Sequence, residues 1–389
     1  MEDQALAQSR TGESYEGTPH PDELCEDVLS MLSLCETASG GVGRYQDNLR
    51  AMSRYGMSCR VLLPDTDRHI LGPEADVITF HRKTRGIGSL INMLRAFLAE
   101  RKRRKPDVYF FNSTFSLVPL LVLRLLGDRT VSVYCAHCWA IGTLDPDTFK
   151  GRFIRAVEGT LCGLADLVIN VSQSDLAIAT RFGYRGRQIV LANAVGEADP
   201  DAAKVLFASG VEGAIHLLFV GRFDRQKGLD VLLPAFSQAR RRNAGLHLHL
   251  VGGVVRDGQT PAPREGVINH GWAGPHEIDS FYRSADALIV PSRWEGMPLV
   301  ILEALRNATP VMASTGCGIG DLLERAGCGT SFELNGEKLT DLLAGLRRDD
   351  LIAARPAARA TFEAHFTQAR FGAALAREIR TMVGKRGGA

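Results

Sequence analysis

The sequence lacks an uncharged apolar run of the roughly 18 residues that a membrane-spanning helix needs. Its best candidate, Phe115 to Leu126, is shorter and is interrupted by Arg124. The sequence therefore predicts a chain that does not cross a bilayer. Residues 1–27 also lack an apolar signal core and are rich in Asp and Glu, so we expect an acidic disordered tail there.

The sequence also lacks a large excess of charge of one sign. Lys and Arg number 46 against 44 Asp and Glu, which leaves a formal net charge of +2. Without a broad positive field, nucleic acid is not expected as a partner. The eight cysteines are spread along the chain, mostly in apolar segments. That distribution is typical of buried thiols in a reducing compartment and predicts a cytoplasmic protein.

Short apolar runs alternate with amphipathic segments along most of the chain, a pattern typical of parallel sheets covered by helices. A length of 389 residues suggests two such domains. The candidate strands span residues 28–35, 58–63, 77–80, 108–111, 130–134, 167–171, 188–191, 215–220, 247–251, 266–269, 287–290 and 310–313. We predict an N-terminal domain over 28–195, a linker over 196–204, a C-terminal domain over 205–365, and a terminal helix and tail over 366–389. Helical periodicity resumes from Glu337 and is expected to break near Pro356.

Two glycine-containing loops follow predicted strands, where ligands bind in doubly wound sheets. The segment from Gly40 to Gly43 opens a helix, and its glycines would let backbone N–H groups approach an anion, although a tight turn accounts for them equally well. In the segment from Gly221 to Gly228, Arg222 and Lys227 could neutralise a diphosphate. A solvated loop is the alternative for that second segment.

The segment from Trp294 to Ala304 is the most specific pattern. Its two carboxylates, Glu295 and Glu303, are separated by seven residues, the second on an apolar helix that begins near Pro298. A charge among apolar neighbours needs a partner, and a ribose with two hydroxyl donors would suit.

With the glycine loop, the Arg/Lys loop, His137 and the closing helices, this E-x7-E pattern resembles the retaining GT-B glycosyltransferases of family 4, the glycosyl transferases group 1. The resemblance covers roughly Val28 to the C-terminus. It implies an α/β fold of two Rossmann-like domains facing a cleft, with a C-terminal helix crossing back to the N-terminal domain. It also implies transfer of a sugar from a nucleotide diphosphate donor without a metal ion or other cofactor.

The resemblance also implies a role for particular residues. Glu303 resembles the ribose-binding carboxylate, and Glu295 the one facing the donor sugar. Arg222 and Lys227 resemble the diphosphate clamp, with Gly41 meeting the distal phosphate. Catalytic roles would fall to Glu295, His137, Arg222 and Lys227.

Two further positions, His137 and Asn193, match the family pattern less specifically. His137 resembles the histidine beside the transferred sugar, and Asn193 the asparagine ahead of the hinge, but a strand-end histidine and a turn asparagine are alternatives. Where the family commonly has E-G-F-G-L, this chain has Pro298, which lacks an N–H. The candidate donor-binding amides are those of Gly296, Met297 and Leu299.

A basic amphipathic segment suggests contact with an anionic membrane surface. Residues 82–105 contain one acidic residue, Glu100, and nine basic ones: Arg82, Lys83, Arg85, Arg95, Arg101, Lys102, Arg103, Arg104 and Lys105. An ordinary sheet-covering helix with a basic last turn is the alternative. The protein would then be cytoplasmic and peripheral on the inner face of the cell membrane.

The resemblance, together with the basic segment, implies a hexosyltransferase-type enzyme. We expect it to move a sugar from a UDP- or GDP-sugar to a glycan acceptor, lipid-linked, in bacterial cell-surface polysaccharide synthesis. The alternatives are another GT-B nucleotide-sugar enzyme, an epimerase or hydrolase, and a catalytically silent nucleotide-sugar-binding subunit. The Cys135-x-x-Cys138 pair has no second C-x-x-C to complete a zinc site, so no metal ligands are predicted.

Overall fold

The computed structural model describes residues 28–38, 40–84, 86–202, 206–207, 213–255 and 260–387. Over these ranges the chain forms two parallel sheets of seven and six strands, in the orders β3-β2-β1-β4-β5-β6-β7 and β10-β9-β8-β11-β12-β13. The first sheet contains β1 Leu29–Cys35, β2 Met57–Pro64, β3 Val77–Phe80, β4 Val108–Asn112, β5 Val131–Cys135, β6 Leu167–Asn170 and β7 Gln188–Val190. The second contains β8 Ile215–Val220, β9 Leu246–Val251, β10 Val267–Gly271, β11 Ala287–Val290, β12 Val311–Ser314 and β13 Gly329–Phe332.

Helices connect and cover these strands. In the first half they are α1 Gly41–Arg50, α2 Ile87–Arg103, α3 Leu117–Leu125, α4 Phe149–Leu161 and α5 Gln173–Arg181. In the second half they are α6 Leu229–Arg242, α7 Ile278–Ser284, α8 Leu299–Arg306, α9 Gly320–Arg325, α10 Gly336–Ala344, α11 Arg348–Ala353, α12 Arg355–His365 and α13 Gln368–Gly387. No helix in these ranges is long and apolar enough to cross a membrane.

Side chains of the first sheet alternate between two apolar cores, one on each face. Tyr109 and Phe111 of β4 pack on Phe97 of α2, whereas Val108 and Phe110 point to the opposite core. Burial on both faces explains why these strands are continuous apolar runs. We call this half of the molecule the first lobe and the half built on the second sheet the second lobe.

The C-terminal helix returns to the first lobe, as the resemblance implied. Phe371, Leu375 and Ile379 of α13 share an apolar core with Met31 and Tyr45. The Tyr55 hydroxyl also donates to the carbonyl oxygen of Ala369 at 2.9 Å. The preceding helix α12 packs in a core of the second lobe through Phe362, so the last two helices join the lobes.

In the second lobe the structure adds one strand that was not predicted and contains one helix break that was. Strand β13 was not predicted, because its four residues include a glycine and are mostly half-buried at a sheet edge. The predicted break near Pro356 is confirmed, because α11 ends at Ala353 and Pro356 lies in the first turn of the next helix, α12. There its missing N–H leaves no hydrogen bond unmade.

The domain limits remain predictions. Strand β7 ends at Val190 and β8 begins at Ile215, so the predicted linker lies between the two sheets. The predicted acidic tail, residues 1–27, lies outside the described residues, as do Lys204 and Val205 at the predicted linker boundary.

Candidate active site

Two loops meet at the switch point of the second sheet, where β8 and β11 are neighbours although they are distant in sequence. Lys227 follows β8 and Glu295 follows β11, and Lys227 Nζ lies 2.6 Å from Glu295 Oε1. Their side chains are only 15% and 12% exposed. Ligands of doubly wound folds bind at such a point. The fold therefore joins two of the predicted catalytic residues in one mostly buried ion pair.

Arg222 lies in the same loop but contacts other residues. Its Nη2 lies 2.9 Å from Gln226 Oε1 and 3.1 Å from Asp224 Oδ2, and its side chain is 40% exposed. The Gln226 amide donates to the carbonyl oxygen of Trp294, which joins this loop to the Glu295 loop. Arg222 is thus a half-solvated cation at the edge of the ion pair.

Gly228 is required where these loops approach each other. Its φ is +71°, and a Cβ at this position would lie 1.9 Å from the carbonyl oxygen of Pro291. A larger residue would separate the loop after β8 from the loop after β11. The glycine at the end of the Arg/Lys segment therefore has a packing role.

Glu303 is buried on α8 and has a protein partner. The Tyr282 hydroxyl donates to Glu303 Oε2 at 2.9 Å, so a ribose is not needed to satisfy that oxygen. Burial raises the pKa of Glu303, while the positive charges of Arg306 and Arg44 oppose the rise. Tyr282 and Arg44 were not identified from the sequence, because both are distant from Glu303 along the chain. Tyr282 belongs to α7, and Arg44 belongs to α1 in the first lobe.

The glycine loop of the first lobe faces the second lobe. Gly41 begins α1, and a Cβ there would lie 3.9 Å from Leu299 Cδ1, at the start of α8. A Cβ on Gly43 would lie 2.2 Å from the carbonyl oxygen of Ala38, so the strand-to-helix turn can close only around a glycine. The predicted phosphate loop and the predicted donor loop therefore lie on opposite sides of one cleft.

His137 has a defined hydrogen-bonding state. Asn112 uses its amide nitrogen to donate to Ser33 Oγ and to the Leu34 carbonyl oxygen, both at 2.9 Å. Its Oδ1 therefore accepts from His137 Nε2–H, at 2.8 Å. Burial lowers the pKa of His137 to about 4. The imidazole is neutral near pH 7, and its one N–H is already bonded to the protein.

The backbone around His137 forms a close contact across the cleft. His137 has a φ of +61°, and a Cβ on Gly296 would lie 2.0 Å from the His137 carbonyl oxygen. Nearby, the Asn193 amide donates to the Met297 carbonyl oxygen at 3.1 Å. The structure thus brings together His137, Asn193, Gly296 and Met297, with Gly41 and Leu299 adjacent across the same cleft.

Comparisons with known proteins agree with this arrangement. The model of the family described as Glycosyltransferase Family 4 matches residues 39–196, and that described as Glycosyl transferases group 1 matches residues 214–349. The chain belongs to these glycosyltransferases. The two family models match opposite sides of the cleft, one on each lobe.

One curated relative and two solved structures illustrate the similarity. This glycosyltransferase is 27% identical, over 76% of its length and 83% of the relative's, to an uncharacterized 41.2 kDa protein in the cps region of Klebsiella pneumoniae. Its fold matches sucrose-phosphate synthase from Thermosynechococcus elongatus, with a TM-score of 0.77 and 18% identity over 92% of this chain and 100% of that one. It also matches Anabaena Alr3699/HepE in complex with UDP-glucose, with a TM-score of 0.72. The identity is 19%, and the match covers 92% of this chain and 100% of that one.

The cysteines of the glycosyltransferase do not form a metal site in the described part of the chain. No group of three or more His, Cys, Asp or Glu side chains there is arranged to hold a metal ion. Burial raises the pKa of Cys135 to about 12 and raises that of Cys138 as well. Both thiols of the C-x-x-C pair are therefore protonated near pH 7 and poorly suited to thiolate chemistry.

A chain of histidines in the second lobe should make the stability of the glycosyltransferase depend on pH. His249 Nε2 lies 3.0 Å from His216 Nδ1, its Nδ1 lies 3.0 Å from His270 Nε2, and Phe207 stacks on its ring. Burial lowers the pKa of His249 to about 3, from an ordinary value of 6.5. Below pH 6.5 the unfolded chain binds a proton that the folded protein excludes, so the free energy of unfolding should fall as the pH falls.

The expected loss from His249 alone is about 2 kcal/mol between pH 7 and pH 5. Urea unfolding of the wild type and of His249→Phe, at both pH values, would measure it. The Phe variant retains an aromatic ring beside Phe207 but has no titrating group, so its stability should change less between the two pH values. Equal changes in both proteins would contradict this assignment.

Proposed function

We propose that the protein transfers a sugar, with retention of anomeric configuration, from a UDP- or GDP-sugar to a lipid-linked glycan acceptor in bacterial cell-surface polysaccharide synthesis. The observation that carries this proposal is the buried Lys227–Glu295 pair at the switch point of the second sheet, facing the His137 turn across the cleft. UDP-glucose in the complex with the similar HepE supports a nucleotide-sugar donor. The cps-region relative supports a polysaccharide pathway.

In this proposal, the second lobe binds the donor. Glu303, with one oxygen bonded to Tyr282, would accept hydrogen bonds from the ribose hydroxyls. Burial raises the pKa of Glu303, and the positive charges of Arg306 and of Arg44, from the first lobe, oppose that rise and would favour the ionised carboxylate. Glu295 would accept hydrogen bonds from hydroxyls of the donor sugar. The donor would therefore span the switch point, with its nucleoside at α8 and its sugar toward the cleft.

The chemical step would depend on charge stabilisation. The bond between the anomeric carbon and the diphosphate oxygen breaks while the acceptor oxygen bonds to the same face of that carbon, and the acceptor proton passes to the leaving phosphate. Lys227 and Arg222 would neutralise the negative charge that develops on the diphosphate, together with the amides of Gly41, Gly296, Met297 and Leu299. These cations would make a metal ion unnecessary.

The geometry also limits what His137 can do in this reaction. Its Nε2–H donates to Asn112, and its pKa of about 4 keeps it neutral. We therefore assign His137 to orienting the transferred sugar, through its backbone and its ring, rather than to carrying a proton. The leaving phosphate is then the remaining acceptor for the proton of the attacking hydroxyl.

Donor binding should depend on Glu303. In a thermal-shift panel of UDP, GDP, ADP and their sugar conjugates, run with a chelator, we expect one nucleotide to raise the Tm of the wild type by mass action. Glu303→Gln should lower the affinity for that nucleotide by about 10- to 100-fold, because it removes hydrogen bonds to a charged acceptor. Glu333→Gln is a matched control, since Glu333 is exposed and pairs with Lys338 on the surface.

Two outcomes would contradict the proposal. Stabilisation that requires a divalent metal would argue against a metal-independent donor site, and no stabilisation by any nucleotide would argue against a nucleotide-sugar donor. Consumption of the donor without an acceptor product would instead favour the epimerase or hydrolase alternative.

A further inference from the structure

The outward face of α2 combines apolar and cationic side chains. The inner side of this helix packs on the sheet through Met93 and Phe97. On the opposite side lie Ile87, 79% exposed, and Ile91, 44% exposed. Toward the C-terminal end of α2 the exposed residues on that side become Arg95 and Lys102. The helix thus presents an apolar start and a cationic end to solvent, as an interfacial helix does.

Some of the basic residues in segment 82–105 pair within the protein. Arg82 bonds to Asp67 and to the Glu36 carbonyl oxygen, and Arg101 and Lys105 both pair with Asp128. Those three cations bind within the protein. The exposed basic residues that the structure describes in this segment are Lys83, Arg95, Lys102, Arg103, Arg104 and Lys105, the last still paired with Asp128.

A second apolar and cationic group lies at the start of α4. Phe149 is 88% exposed and Phe153, one turn later, is 58% exposed, with the exposed cations Lys150 and Arg152 between them. Thr148 caps the helix by accepting from the Gly151 amide at 3.1 Å, which fixes the direction of this first turn. The acidic residues at this end of the helix are Asp145 and Asp147, which precede it.

The topology places these two groups side by side. Helices α2, α3 and α4 follow the parallel strands β3, β4 and β5 and lie next to one another on the same face of the sheet. Their N-terminal ends are therefore at the carboxyl edge of the sheet, the edge that carries the His137 turn. Phe115, 48% exposed, lies before α3 and between the two groups. We call Ile87, Ile91, Phe115, Phe149 and Phe153 the apolar rim.

We infer that the apolar rim, with its neighbouring lysines and arginines, docks the first lobe on an anionic lipid bilayer beside the opening of the cleft. Large exposed apolar side chains next to cations match the acyl boundary and the negative headgroups of such a surface. For its connection with catalysis, the inference rests on the proposed lipid-linked acceptor. The docked lobe would receive a glycan whose lipid remains in the bilayer.

The test is co-sedimentation of the full-length protein with vesicles of phosphatidylcholine, with and without phosphatidylglycerol. The wild type should bind vesicles that contain phosphatidylglycerol and bind pure phosphatidylcholine weakly. Phe149→Ser with Phe153→Ser should reduce binding by roughly 10- to 100-fold, because two aromatic side chains no longer enter the lipid. The matched control is Ile268→Ser with Ile352→Ser, which removes two part-exposed apolar side chains of the second lobe.

Each remaining outcome is decisive. No binding of the wild type to anionic vesicles, or equal binding by the Phe149/Phe153 variant, would overturn the inference. A wild-type dimer that the Phe variant converts to a monomer, without vesicle binding, would assign the rim to a second copy instead. The nucleotide-induced Tm shift of the Phe variant should match the wild type, so a failure of donor binding is distinguishable from a failure of docking.

Discussion

Replacing Lys227 with alanine should lower turnover on the order of 10²- to 10³-fold, which is the range found for removing one preorganised donor from a developing charge. Lys227 is mostly buried at the switch point and contacts Glu295 at 2.6 Å. In the proposed reaction its charge is needed most as the diphosphate leaves, so kcat should fall more than donor affinity. Steady-state kinetics with saturating donor would measure the effect.

Loss of Lys227 also leaves Glu295 as a mostly buried unpaired carboxylate, which destabilises a protein by itself. The double variant Lys227→Met with Glu295→Gln removes both charges and should recover stability without recovering turnover. Lys338→Ala provides a matched control, because Lys338 and Glu333 also lie 2.6 Å apart but are 61% and 63% exposed. That control should change neither stability nor rate measurably. Near-wild-type turnover in a stable double variant would refute the assigned role.

The candidate site residues that the sequence predicted each lie in a single segment that follows a strand. Arg222, Lys227, Glu295 and Glu303 follow apolar strands, and the strands themselves were predicted because parallel sheets buried on both faces leave continuous apolar runs. The order of the strands within each sheet could not be predicted from the sequence of any one loop. The pairing of Lys227 with Glu295 depends on β8 lying beside β11.

The partners that were missed come from elements distant in sequence. Tyr282 on α7 reaches Glu303, and Asn112 at the end of β4 fixes the proton of His137. Asn112 offered one signal, since it is a polar residue directly after the apolar run from Val108 to Phe111. A lone tyrosine in a helix carries no such signal, because it resembles any core aromatic. Its role depends on how α7 packs beside α8.

Contact between the lobes also depends on three-dimensional packing, and Gly296 is where it can be tested. Gly296 follows Glu295 in the donor loop, but its nearest neighbours belong to the first lobe: a Cβ would lie 2.0 Å from the His137 carbonyl oxygen and 3.1 Å from Val171 Cγ2. Within a single lobe such a clash would be relieved by unfolding or local strain. Here the lobes can separate instead, so Gly296→Ala should fold while closing poorly.

We expect Gly296→Ala to lower kcat/KM on the order of 10²-fold, because misplacing reacting groups by about 1 Å has effects of that size. Its Tm without ligand should remain close to that of the wild type, and small-angle X-ray scattering should show a larger radius of gyration in the presence of nucleotide. Gly336→Ala is the control, since a Cβ there meets no atom within 4 Å. If Gly296→Ala kept wild-type kcat/KM, contact between Gly296 and His137 would not be required for the reaction. Gly296 would then be needed only for the backbone conformation of its own loop.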